Sequence, residues 1–156
     1  MRCMLYNNIM DKNTFESVVI NEYKQIPLWV KKRLVNVALL IEDVVSADTR
    51  RSEKLAPNET LLGLYHGIPR NARGEGYGIG DVLPDTITLY REPIAREARR
   101  RAVLENKPFP DALHEMVKET LWHEIGHSLG LTERAIRVRE KKESNVFKLS
   151  PQARTP

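Results

Sequence analysis

The chain of 156 residues contains one cysteine, Cys3. A single thiol excludes an internal disulfide and, within one chain, a thiolate zinc cluster, so any metal would have to rest on histidine and carboxylate. Long apolar runs are missing too: none approaches the roughly 20 residues needed to cross a bilayer, which sets a membrane partner aside. The segment Met1 to Met10 is too polar for the apolar region of a signal peptide and lacks a small-residue cleavage pattern, pointing to a cytoplasmic protein. Internal repeats and linker-like stretches are absent. The length therefore predicts one domain and one site, with residues 1–144 as the domain and 145–156, polar and ending in Pro151 to Pro156, as a loosely ordered tail. A hydrophobic share of 41% with 29% charged residues is that of a globular protein and argues against disorder.

The formal net charge is +4. It comes partly from Arg91, Arg96, Arg99, Arg100 and Arg101, and from Arg134, Arg137, Arg139, Lys141 and Lys142. Glutamates interrupt both clusters, the pattern of solvated helix faces more often than of a phosphate-binding surface. Nucleic acid is accordingly the less favoured partner.

Asn13 with Glu16 has capping-box spacing, and Phe15, Val18, Val19, Tyr23 and Ile26 recur at helical intervals, predicting a helix over about 14–25 before Pro27. The nearly continuous apolar run Leu34 to Ile41 reads as a central strand covered on both faces. Residues 46–59 read as a loop, Leu61 to Tyr65 as a second strand, and Thr86 to Tyr90, opened by Pro84, as a third. Gly74, Gly76, Gly78 and Gly80 make 71–80 a candidate mobile hairpin or lid. Pro93 suits the first turn of an arginine-rich helix, and Pro108 and Pro110 separate it from the next. Three strands interleaved with four helices predict a single α+β domain with a small mixed sheet.

Asp111 is the expected N-cap of a helix reaching about Leu129, with Leu113, Val117, Leu121 and Ile125 as its apolar stripe. Met116, Thr120, His123 and His127 flank that stripe. Residues four apart on a helix differ by only about 40° around its axis, so two imidazoles at 123 and 127 can converge on one ion. Glu124, one position on, points beside them, where a carboxylate meets a water on the ion rather than the ion itself. These three residues form an HExxH motif. Gly130 tolerates the left-handed conformation that ends a helix and turns the chain back toward the histidines. Glu133, six residues after His127, stands where HExxHxxGxx[HD] sites carry their third ligand, and Glu140 or Glu143 on the next helix are alternatives. Two histidines and one glutamate would leave a fourth position open for water, as in catalytic zinc sites. Of the other histidines, His114 lies nine residues before His123 and reads as solvent-facing or capping. His66, at a strand end, reads as a turn residue able to meet a substrate carbonyl. Tyr65 and Tyr90 are further candidates for contacting substrate or its oxyanion.

Four blocks in order, Asn36 to Asp43, Leu61 to Pro69, Leu83 to Tyr90 and His123 to Glu133, resemble the small bacterial zincin-like zinc metallopeptidases, or minimal zincins. The resemblance spans roughly Phe15 to Glu133. It implies a zincin-like α+β fold with the motif helix packed on a short sheet, His123 and His127 as zinc ligands, and Glu124 as catalytic acid/base. Two departures stand out. Glu133 replaces the more frequent aspartate, and no methionine follows Met116, so the Met-turn of true metzincins is missing. The expected activity is hydrolysis of a peptide or protein substrate with zinc as cofactor. One alternative is a zinc-dependent RNA endonuclease, since a short ribosomal-RNA-processing family shares the ligand spacing; that family has a third histidine and no glutamate after the first. A non-catalytic interaction module on the same scaffold is the other alternative.

Overall fold

The computed structural model describes residues 10–75, 77 and 83–141. Helix α1 spans Lys12–Gln25, and the short α2 spans Leu28–Lys31. Asp11 caps α1, its side chain accepting from the amides of Asn13 and Thr14, so the expected capping box at Asn13 is replaced by a cap two residues earlier. Strand β1 is Val37–Glu42, α3 is Ala47–Ser52 and β2 is Gly63–His66, with a 3-10 turn at Arg70–Ala72. Strand β3 is Asp85–Tyr90, followed by α4 (Arg91–Leu104), α5 (Phe109–Ser128) and α6 (Glu133–Lys141). The architecture is a small α+β domain whose described residues form six α-helices, two of them short, and one three-stranded mixed sheet.

The strand order β1-β3-β2 corrects the expectation for the first strand. β1 pairs parallel with β3 but lies at an edge, and only Val37, Leu39 and Ile41 turn toward the core, while Leu40 is 42% exposed. At this edge the second face is only partly covered, so part of the apolar run in β1 meets solvent. The central strand is β3, whose Ile87 and Leu89 are buried. β2 pairs antiparallel with β3 and forms the second edge. Residues 46–59, expected to be a loop, contain α3, capped by the Ser46 hydroxyl at the Thr49 amide.

Helix α5 is the hub, in contact with α1, α4, α6, β2 and β3. Its stripe Leu113, Val117, Leu121 and Ile125 is buried, as expected. It starts earlier than Asp111 would allow: Pro108 is the N-cap, Pro110 sits in the first turn where no amide donor is needed, and Asp111 instead places a negative charge near the positive end of the helix dipole. His114 neither caps nor faces solvent freely; its Nδ1 lies 2.6 Å from the buried Glu22 Oε1 and ties α5 to α1. Among the described residues no helix is long and apolar enough to cross a membrane.

Candidate active site

The motif lies in the last turns of α5, where β2 crosses the helix. That crossing is close because Gly63 has no side chain: a Cβ there would lie 2.8 Å from Thr120 Cγ2 and 2.9 Å from Glu124 Cγ. The exchange with β3 occupies the Leu62 carbonyl, which accepts from Tyr90, so Gly63 and Tyr65 turn their polar groups to the free edge. The Tyr65 amide uses that freedom to donate to Glu124 Oε2 at 2.8 Å.

At its C-terminal end α5 stops at Leu129, and Gly130 adopts φ +89, a conformation costly for any residue with a Cβ. The chain reverses there, and α6 begins at Glu133. Ile136 on α6 seats against Gly126, holding the two helices together. The reversal carries Glu133 back to the histidines. Its Oε2 lies 3.2 Å from His123 Nε2 and 3.3 Å from His127 Nε2, and the two Nε2 atoms are 3.2 Å apart. Among the described residues these three form the one group of histidine, cysteine or acidic side chains able to hold a metal ion.

The triangle can be tested against zinc. A tetrahedral ion with bonds of about 2.0–2.1 Å to nitrogen and oxygen separates its donors by about 3.3–3.4 Å. The observed edges fit that spacing within about 0.2 Å, and all three atoms come from residue types zinc accepts, so the residues present fit zinc.

The surroundings hold these atoms in place. His123 Nδ1 is 2.8 Å from Glu140 Oε1, and Arg137 Nε donates to Glu133 Oε1 at 2.5 Å. Arg137 keeps the Glu133 carboxyl below its usual range, with burial acting against it and both histidines acting with it. Burial disfavours a charged His123, yet the hydrogen bond to Glu140 and the nearby glutamate charges hold its pKa above the ordinary imidazole value. Glu124 is 6% exposed, and burial pushes its carboxyl up to about 7 against the opposing pull of His123 and the Tyr65 amide. Among the described residues no buried side-chain polar atom lacks a partner and Glu124 Oε1 makes no hydrogen bond, so that oxygen opens toward the cleft that Glu124 lines.

The cleft has a volume of about 580 Å³. His123, Glu124, His127 and Glu133 form its floor, β2 and Leu61 one wall, and Gly67, Pro69 and Asn71 another. Asn71 Nδ2 donates to the Gly130 carbonyl at 3.3 Å, joining the second wall to the turn that presents Glu133. Of the expected substrate contacts, Tyr65 lines the cleft, but its hydroxyl donates to Asp85 Oδ2 at 2.6 Å. Tyr90, the residue that precedes α4, is 1% exposed and does not line the cleft, so it has no surface to offer a substrate. His66 is exposed at the end of β2 and lies outside the lining. Glu140 sits at the Nδ1 side of His123, away from the triangle, and Glu143 lies outside the described residues.

Sequence reasoning passed over Asp85, although Leu83-Pro84-Asp85 had already been singled out. The Asp85 side chain is 6% exposed and accepts from the Tyr65 and Tyr77 hydroxyls at 2.6 Å each and from Arg73 Nη2 at 2.5 Å. Arg73 also donates to the carbonyls of Ile68 and Val35 and covers the Tyr77 ring. This hub fixes the described part of the glycine-rich segment to the end of the sheet; residues 76 and 78–80 of the expected lid, and the expected domain boundary at 144, lie outside the described residues.

Several basic side chains already have partners: Arg91 with Asp43, Arg100 with Glu97, Arg101 with Glu119 and Arg137 with Glu133. A search of curated proteins finds no match to the chain. The family model for zincin-like metallopeptidases, however, matches residues 34–142, from the turn before β1 through the candidate metal site. With that match covering most of its length, the chain belongs to the zincin-like metallopeptidase family.

Proposed function

We propose that the protein is a zinc-dependent peptidase, with His123, His127 and Glu133 as the metal-holding residues and Glu124 as the acid/base. The observation that carries the reading is the near-equilateral triangle of donor atoms beside a buried carboxylate whose free oxygen opens into the cleft. Zinc bound there would supply a Lewis acid that makes water nucleophilic near neutral pH and polarises the scissile carbonyl. Glu124 Oε1 would accept a proton from an attacking water in the cleft and return it to the leaving amine, while the Tyr65 amide holds Oε2 and fixes the carboxylate's orientation. A carboxyl lifted toward neutrality by burial is suited to both tasks.

The free edge of β2 supplies the place for substrate. Gly63 and the Tyr65 carbonyl present backbone groups that are unpaired among the described residues beside the triangle of donor atoms, so an extended peptide would add to β2 as a further strand. The pairing of Arg91, Arg100, Arg101 and Arg137 with carboxylates supports peptide over RNA as substrate.

The test is metal content by elemental analysis and cleavage of a peptide library, on wild type, His127→Ala, Glu133→Ala and Glu124→Gln. The expected result is about one zinc per chain in wild type and Glu124→Gln, with zinc lost from the two ligand variants. Turnover should fall about 10²- to 10⁴-fold in Glu124→Gln. Undiminished turnover in that variant removes Glu124 from the mechanism, and zinc-loaded wild type that cleaves nothing in the library refutes the peptidase reading.

A further inference from the structure

We propose that Glu140 is a positioning residue for the metal centre, holding His123 in the one tautomer that aims Nε2 at the ion, so that α6 supplies both a ligand and the support of a second ligand. The inference rests on the zinc reading of the triangle and not on any particular reaction.

A neutral imidazole has one N–H and one lone pair, and which nitrogen carries the proton is decided by its neighbours. An ionised carboxylate only accepts hydrogen bonds. With Glu140 Oε1 2.8 Å from Nδ1, the proton of a neutral His123 belongs on Nδ1 and the lone pair on Nε2. That is the nitrogen 3.2 Å from both His127 Nε2 and Glu133 Oε2. The same geometry removes Glu140 as an alternative third ligand. It meets the nitrogen on the other side of the ring, and a carboxylate there cannot also reach an ion bound at Nε2.

Helix α6 is arranged for this task. Glu133, Arg137 and Glu140 occupy positions i, i+4 and i+7, which fall on one face of an α-helix. Glu133 offers Oε2 to the triangle, Arg137 occupies its Oε1, and Glu140 reaches past them to His123. A single apolar anchor, Ile136 against Gly126, sets the helix at the depth these contacts require. His127 has no comparable partner at Nδ1 among the described residues.

The experiment is zinc affinity of the full chain, measured by competition with a chromophoric chelator, together with the visible spectrum of the cobalt(II)-substituted protein. Glu140→Ala should bind zinc about 10- to 100-fold more weakly, the usual effect of removing an outer partner of a metal-bound histidine. Glu140→Gln, whose amide oxygen still accepts from Nδ1, should recover most of that loss. The cobalt spectra of both should keep the wild-type band pattern, because the coordinating atoms are unchanged, and Arg134→Ala on the same helix should bind as wild type does. Wild-type affinity in Glu140→Ala overturns the proposal, as does a changed coordination spectrum, which would make Glu140 a ligand. Because the readout is binding, a chain that shows this dependence yet cleaves no peptide refutes only the peptidase reading, while a wild type that binds no zinc refutes both.

Discussion

Replacing Asp85 by Asn isolates the contribution of the hub behind the active-site wall. The substitution keeps the shape but removes the charge from a carboxylate that receives two phenol hydroxyls and a guanidinium, and it leaves Arg73, 9% exposed, without a counter-ion. Breaking a buried pair by removing one partner costs about 3–5 kcal/mol. Arg73 retains the Ile68 and Val35 carbonyls as acceptors, which places the expected cost at the lower end, about 3 kcal/mol. For a chain of this size that lowers the melting temperature by roughly 10 °C. Burial alone would raise the Asp85 carboxyl, but hydrogen bonds from the Tyr65, Tyr77 and Arg73 side chains and the Ile68 backbone outweigh burial and hold it below its reference value of 3.8. A depressed folded pKa stabilises above the unfolded value and loses that stabilisation as pH falls through the folded one. The stability gap between wild type and Asp85→Asn should therefore be constant from neutral pH down to about 4 and close below it. Thermal melts followed by circular dichroism at pH 7, 5 and 3 measure the gap, and tryptic cleavage after Arg70 and Arg73 should accelerate in the variant. A shift under about 2 °C at pH 7, or a gap as wide at pH 3, would refute the argument.

Three other outcomes follow from the same geometry. Gly63→Ala should press on Thr120 and Glu124, destabilising the fold by about 1–3 kcal/mol in denaturant titration and reducing turnover more than zinc content. Gly130→Ala meets a positive φ and the Asn71 side chain at once, so it should cost at least about 1–2 kcal/mol and weaken zinc binding by displacing Glu133. Arg101→Ala breaks a surface pair with Glu119 and should change stability by no more than about 1 kcal/mol; filter binding to structured RNA at low salt should show no retention for wild type or variant, and salt-dependent retention would revive the nuclease alternative.

Local chemistry was readable wherever it depended on spacing along one element. His123, Glu124 and His127 share a turn of α5 whatever surrounds them, and the stripe Leu113 to Ile125 follows from the same periodicity. Gly130 was legible because a helix that must stop and reverse needs a residue tolerant of positive φ. Errors arose where the deciding term was not local. Asp11 took the α1 cap from Asn13, and Pro108 took the α5 cap from Asp111, because a helix end is fixed by the exit path of the chain as well as by the capping residue. The apolar run in β1 reads as a buried central strand, but the strand lies at an edge with Leu40 exposed, and β3, with its less continuous pattern, holds the centre.

The sequence by itself determined the α+β class, the helix that carries the HExxH motif and the family to which the chain belongs, because each is written in periodicity, spacing or ordered blocks. Tertiary structure alone decided that Glu133 returns to the histidines with Glu140 behind one of them, that Tyr65 contributes an amide rather than a hydroxyl, that Tyr90 belongs to the core, and that Asp85 gathers partners from β2 and from the segment of Arg73 and Tyr77. Those contacts join residues as far as 59 positions apart, and their existence depends on how closely β2 crosses α5 and how sharply the chain turns at Gly130, quantities that no local pattern encodes.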